Sequence, residues 1–170
     1  MDIYKFEKFI SSLNESYDNP AIINWTEDTD TTFDGEFYVN GIKYIIECSE
    51  WGNDIWTYKF SRIDNDEKIM DLVNDSVNKM KVLSTIRKGM SYFIDIKKPA
   101  GLIINVIDNS RGRDYLWDRY SKEISKEYDY NFKKNIIFDK SSFFLWKKDL
   151  ITFEMMTKSF NRMIRVFQNM

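Results

Sequence analysis

The most informative part of the sequence is PAGLIINVIDNSRGRDYLWDRYSKEISKEYDY, residues 99–130. Residues 100–107 are almost all apolar and often β-branched, which is typical of a strand covered on both faces. After a polar turn at 108–112, apolar side chains recur every four residues and predict a core-facing helix. These side chains are Leu116, Tyr120, Ile124 and Tyr128. The stretch therefore predicts a buried strand followed by an amphipathic helix.

Regular elements are also predicted on both sides of this stretch. Upstream, apolar residues recur at helical spacing from Val77 to Ile94, and Ser76 can cap the first turn. Pro99 stops this long helix at about residue 96, because the residue before a proline disfavours helical geometry. Downstream, we expect strands at 135–138 and 142–146. A last helix should run from about residue 149 to 168.

The first half of the chain predicts a strand meander. Asn40 and Gly41 separate two β-rich runs, 33–39 and 42–48, and both residues tolerate the positive φ of a tight hairpin turn. A third strand, 55–60, follows a turn at 52–54. A short amphipathic helix is expected at 2–13, and a loop or loose helix at 65–75.

The order of these elements predicts one α/β domain of the α+β type, spanning residues 1–170. It should contain a mixed, mostly antiparallel sheet that begins with the meander and is flanked by helices. With 43% hydrophobic and 16% aromatic residues, the chain can bury a substantial core.

Composition restricts the chemistry that is available. The 170 residues include no histidine and one cysteine, Cys48, which excludes a usual zinc site, an intrachain disulfide and any His-activated nucleophile. A reducing compartment is expected. Cys48 lies in a predicted strand, so we interpret it as a plain thiol. Oxygen-ligand metals stay open.

Charge and hydropathy bear on the partners. The net charge of −2 lacks the basic excess that nucleic-acid binding favours. No apolar run reaches the length of about 18 residues that a membrane span needs. We therefore expect a protein partner, with a homo-oligomer left open, and neither a membrane nor nucleic acid.

From its second strand onward, the chain resembles the GNAT acetyltransferases. In that family a strand leads into a phosphate-binding loop and a long helix. A buried strand follows, then a helix that often ends like LYxxxGF, and a closing strand pair. Here the corresponding parts are the helix 77–96, the strand 100–107, and a second helix that contains LWDR at 116–119 and ends in YDY at 128–130.

A closer resemblance is to small uncharacterised proteins of tailed bacteriophages with a degenerate GNAT fold. Those proteins show a helix reading like VFATV and another reading Arg-x-x-LY-x-R. The segments VLSTI at 82–86 and RDYLWDR at 113–119 are similar, and the likeness covers about residues 25–148. It implies a virion or virion-assembly component, found in the virion or the host cytoplasm. A phage inhibitor that binds a host defence protein is an alternative.

Three positions depart from the GNAT pattern where that family has its chemistry. Asp75 stands in NDSVN, residues 74–78, where a Gly-rich loop would bind the coenzyme A pyrophosphate, and its carboxylate would repel the phosphates. Trp117 aligns with a tyrosine that often serves as general acid. Asp129 replaces a glycine. The resemblance thus implies the fold without catalytic residues or a cofactor, with an acetyl-CoA-dependent N-acyltransferase as the alternative.

Two groups of residues are candidates for contacts. Arg111 and Arg113 begin a predicted helix and form either an anion or partner site, or a solvated turn in which they pair with neighbouring aspartates. Trp51 and Trp56 flank a turn and either stack on a ligand or partner, or cap the end of the sheet. We favour the second interpretation in each case.

The two ends of the chain carry further candidates. The last helix has a broad apolar stripe that either packs on the sheet or forms an oligomer or partner interface, two alternatives of equal weight. Its interface candidates are Met156, Phe160, Met163 and Phe167. Near the N-terminus, FEKFI at 6–10 with LNE at 13–15 resembles capsid-targeting peptides of internal head proteins in large myophages. Those peptides are cut after Leu-x-Glu, so Glu15 is a candidate processing site.

Overall fold

The computed structural model describes residues 19–69, 76–105, 111–137 and 140–168. The expected helix at 2–13 and Glu15 lie outside these residues. Eight strands and three helices are described, and their bounds follow in chain order. They are β1 (Asn24–Asp28), β2 (Thr32–Val39), β3 (Ile42–Glu50), β4 (Ile55–Asp64), β5 (Glu67–Ile69), α1 (Ser76–Lys97), β6 (Gly101–Asn105), α2 (Arg111–Tyr128), β7 (Asn131–Ile137), β8 (Lys140–Trp146) and α3 (Phe153–Gln168).

All eight strands belong to one mixed sheet in the order β1-β2-β3-β4-β6-β8-β7, with β5 paired to β4. Every pair is antiparallel except β4 and β6, which run parallel. A parallel pair needs a crossover connection, and α1 lies within it. The mostly antiparallel α+β sheet with its N-terminal meander is therefore confirmed.

Turn residues fix the meander as the sequence predicts. Asn40 and Gly41 have φ values of 51° and 78°, and the hairpin they close pairs Val39 with Ile42. The next turn, at 52–54, also has three consecutive positive φ values. These backbone angles are the ones that Asn, Asp and Gly tolerate best, so local chemistry sets the register of β2, β3 and β4.

Two strands differ from the sequence expectations. The sequence does not predict β1, and it predicts a loop or loose helix at 65–75. Instead, Asn65 and Asp66 adopt positive φ values of 48° and 64°, and the hairpin they form places β5 against the end of β4. β7 begins at Asn131, earlier than expected, and α3 begins at Phe153, later than expected.

Helices cover both faces of the sheet. Successive strand residues point to opposite faces, and the core accordingly divides into two clusters. α1 and α2 pack on one face with the even-numbered side chains of β4 and β6. α3 packs on the other face, over Ile55, Ile103 and Phe144. At Gly101 the approach is so close that an added Cβ would clash with Met156 and Ile151.

Candidate functional site

The strands β4 and β6 diverge in the middle of the sheet. They pair only between residues 55–57 and 101–103, although β4 continues to Asp64. β5 pairs with the far end of β4, at 62–64. Within the described residues, 58–61 thus have ladder partners only in β3. We call this segment the β4–β6 opening. Ligands of open α/β sheets bind near the carboxyl ends of strands, so it is the natural place for a site.

On the helix side, aromatic side chains fill this opening. Trp117 of α2 is 5% exposed, and its ring centroid lies 5.7 Å from that of Phe60 in β4. Tyr120 meets the same indole edge-on at 6.0 Å. Trp117 is therefore a core residue. Its indole has no acidic proton to transfer, so this side chain cannot serve as a general acid.

On the opposite face, a row of charged side chains crosses three strands. Asp34, Glu47 and Lys59 are cross-strand neighbours, and Lys68 donates to Glu47 at 2.6 Å. Burial raises the pKa of Asp34. The backbone N–H of Cys48 donates to the Asp34 carboxylate at 3.1 Å and partly offsets this rise. Burial also lowers the pKa of Lys59, whereas the negative charge of Glu47 raises it. The row is internally compensated and contains no nucleophile paired with a base.

Cys48 lies beneath this row and is fully buried. Burial raises the pKa of its thiol well above the usual range, and the carboxylates of Asp34 and Glu47 add to the effect. Because the thiolate is the reactive form, this cysteine is not an activated nucleophile. The sequence predicts a plain thiol, and the structure places it in the core.

Asp54 joins the start of β4 to the start of β6. Its carboxylate accepts the indole N–H of Trp56 at 2.9 Å and the backbone N–H of Ala100 at 2.8 Å. Its carbonyl oxygen accepts the N–H of Gly101 at 3.1 Å. Trp56 is 3% exposed, so it closes the end of the sheet and presents no stacking surface. The half-buried Trp51 donates to Thr57 at 3.4 Å.

Side-chain contacts also fix the end of α2. The Tyr130 hydroxyl donates to the Pro99 carbonyl oxygen at 2.5 Å, and Lys147 lies 4.4 Å from the centre of the Tyr130 ring. Burial raises the pKa of Tyr130, which keeps the hydroxyl protonated as a donor. The stretch 99–130 is thus tied together at its two ends.

The last helix packs on its own sheet. Met156, Phe160 and Met163 are at most 2% exposed, and the Phe160 ring meets Phe144 edge-on at 5.4 Å. Of the two sequence alternatives, packing on the sheet accounts for these three residues, which leaves them unavailable to a partner. The side chains of Phe167, Arg111 and Arg113 lie outside the part of the chain that the structure describes.

A basic depression lies on the exposed face of α3. It measures about 350 Å³ and is lined by Lys158, Asn161, Arg162 and Arg165. Sequence reasoning missed this feature and the bonds of Asp54. The spacing of the three cations predicts a polar face on this helix, opposite the apolar stripe. No local pattern predicts which other parts of the chain lie next to that polar face.

No family model, curated protein or solved structure matches this chain. None of the helices in the described residues is long and apolar enough to cross a membrane. The same part of the chain contains no group of three or more acidic or cysteine side chains that could hold a metal ion.

Proposed function

We propose that this chain acts through protein–protein contacts and not through catalysis, as a bacteriophage virion or virion-assembly component. The observation that carries the proposal is the burial of Trp117 between Phe60 and Tyr120, because the GNAT resemblance aligns this residue with the tyrosine that often serves as general acid in that family. An indole at that position cannot act as the general acid, a role that needs a group able to transfer a proton within reach of the substrate.

The element order supports a GNAT-like scaffold for this function. A parallel pair, β4 and β6, is linked through α1, and α2 and the closing pair β7 and β8 follow. This is the succession that the resemblance implies. A scaffold that keeps this order while its acid position belongs to the core is expected to be used for binding.

An exposed apolar surface at the edge of the sheet also supports contact with another protein. Trp25 of the edge strand β1 stacks on Tyr92 of α1, with ring centroids 5.3 Å apart. Tyr92 and Ile96 share one helix face, and each is nearly half exposed. Aromatic side chains are enriched in protein interfaces, and edge strands offer unpaired backbone groups.

Titration with acetyl-CoA tests the absence of catalysis. We expect no saturable heat in calorimetry and no saturable shift of the melting temperature up to millimolar ligand, with ATP as a matched phosphate-bearing control. The divergence of β4 and β6 makes an acyltransferase the second candidate. A saturable response to acetyl-CoA alone would support that candidate and refute ours.

Mass spectrometry of purified phage particles tests the virion version. The chain should be present at a constant ratio to the capsid protein across independent gradients. Its absence from particles, combined with a single enriched host protein in pull-downs, would instead indicate the alternative of an inhibitor that acts in the host cytoplasm.

A further inference from the structure

Two unpaired arginines lie at the end of the molecule where β4 begins. Arg162 approaches the turn at 52–54, since a Cβ on Gly52 would lie 3.3 Å from its guanidinium nitrogen. Arg162 and Arg165 line the depression on α3, and neither has an ion-pair partner among the described residues. Lys158 beside them pairs with Glu154 at 2.9 Å. We call Arg162 and Arg165 the arginine patch.

Unpaired carboxylates lie at the other end of β4. The hairpin of β4 and β5 exposes Asp66 in its turn and Glu67 at the start of β5, and the described residues provide no ion-pair partner for either. The neighbouring Asp64, by contrast, forms an ion pair with Arg62 at 3.5 Å. We call Asp66 and Glu67 the acidic tip.

The arginine patch and the acidic tip cannot meet within one molecule. They flank opposite ends of β4, which has ten residues and therefore extends about 30 Å at roughly 3.3 Å per residue. Charges this far apart are screened from each other at physiological ionic strength, where the Debye length is about 8 Å. Among the described residues, both the arginine patch and the acidic tip are therefore left without an oppositely charged partner.

We propose that the arginine patch receives the acidic tip of a second copy of this chain, so that copies associate head to tail. This inference rests on the proposed function, because it names the partner of a contact protein. A projecting hairpin turn suits a depression, and two guanidiniums can each bind a carboxylate in a bidentate manner. Val166 is 43% exposed next to Arg165 and adds an apolar contact.

Charge favours this occupant over nucleic acid. Proteins that bind DNA tightly neutralise about six to ten phosphates, whereas the depression offers three cations, one of which is paired with Glu154. A contact between two different surfaces of the same chain is heterologous, and it generates either a closed ring or an open filament. Both products suit an assembly component.

The association should be weak and sensitive to salt. Exposed ion pairs contribute little individually, so a Kd on the order of a millimolar is expected, a range in which high local concentration controls assembly. Raising the ionic strength from about 0.01 M to about 1 M shortens the Debye length from about 30 Å to about 3 Å. The weight-average mass in concentrated solution should fall accordingly.

Charge reversal tests the proposal in the full chain. Sedimentation velocity is measured at low salt and rising protein concentration for the wild type, for Asp66→Lys/Glu67→Lys, and for Arg162→Glu/Arg165→Glu. We expect the wild type to associate, each variant alone to stay monomeric, and their equimolar mixture to regain association. In the mixture both possible contacts again join opposite charges.

Lys88→Glu/Lys126→Glu serves as the control, because it changes the net charge by the same amount as the arginine variant at exposed positions on α1 and α2. It should associate like the wild type. A monomeric wild type at every concentration, variants that associate normally, or a mixture that stays monomeric would each overturn the proposal. Each variant's circular dichroism spectrum is compared with that of the wild type to check that the variant folds.

The outcome is separable from that of the proposed function. Saturable binding of acetyl-CoA would refute the contact function whatever the sedimentation shows. A wild-type chain that neither binds acetyl-CoA nor self-associates would keep the contact function and eliminate this partner.

Discussion

A single residue in the left-handed region ends α2. Asp129 has a φ of 55° and lies between the last residue of the helix and Tyr130, which anchors the chain to Pro99. Glycine adopts this conformation without steric cost and is the commonest residue just past a helix end. Backbone geometry alone therefore explains the glycine that the GNAT resemblance places here. Its replacement by aspartate removes no functional group.

Asp129→Gly should consequently stabilise the protein. We expect the free energy of unfolding to rise by about 0.5 kcal/mol, because aspartate tolerates the left-handed region better than most residues but less well than glycine. Lys126→Gly, in the last helical turn, should lower it by about 1 kcal/mol. Urea denaturation measures both. A loss on Asp129→Gly as large as that on Lys126→Gly would contradict the conformational explanation.

Among the secondary-structure elements, α3 offers the sharpest prediction. Phe160 is 1% exposed, whereas Val166 on the same helix is 43% exposed. Phe160→Ala should lower the free energy of unfolding by about 3–5 kcal/mol, since it removes a buried ring and leaves a cavity. Val166→Ala should change it by less than about 0.5 kcal/mol.

Concentration dependence separates the two interpretations of this helix. If Phe160 packs on its own sheet, its effect in urea denaturation is the same at low and high protein concentration. An effect that grows with protein concentration would place the residue in a subunit interface.

Elements that bury one regular face could be predicted, and those held by tertiary pairing could not. α1, α2 and the hairpin at Asn40 and Gly41 follow from periodicity and turn chemistry. β1 exposes four of its five side chains, so it has no apolar alternation to detect. Its place depends on β2, where Gly35 leaves room for the Trp25 ring. β5 has only three residues in a charged segment.

At the scale of the whole molecule, the candidate site depends on distant pairings. The β4–β6 opening exists because two strands separated in the chain by α1 stop pairing after three residues. No local pattern encodes where such a ladder ends. The absence of histidine, by contrast, excludes a histidine base and any histidine-activated nucleophile from the sequence alone.

Whether the fold requires α3 is a question about the stability of the whole molecule. The phage-protein resemblance ends at about residue 148, which would suggest a core complete without the last helix. The structure argues otherwise, because α3 covers Ile55, Ile103 and Phe144, each at most 1% exposed. Exposing three such side chains costs about 1.5–3 kcal/mol each, a large part of the 5–15 kcal/mol that stabilises a typical domain.

A chain that ends at residue 148 should therefore lose its cooperative thermal transition and bind a hydrophobic dye such as ANS. The full chain carrying Arg162→Gln/Arg165→Gln is the matched control, since it alters only the exposed face of α3 and should melt like the wild type. A shortened chain that melts cooperatively near the wild-type temperature would show that α3 is dispensable for folding. The sheet face under α3 would then be stable without the helix. The apolar stripe of α3 would again be a candidate oligomer or partner interface.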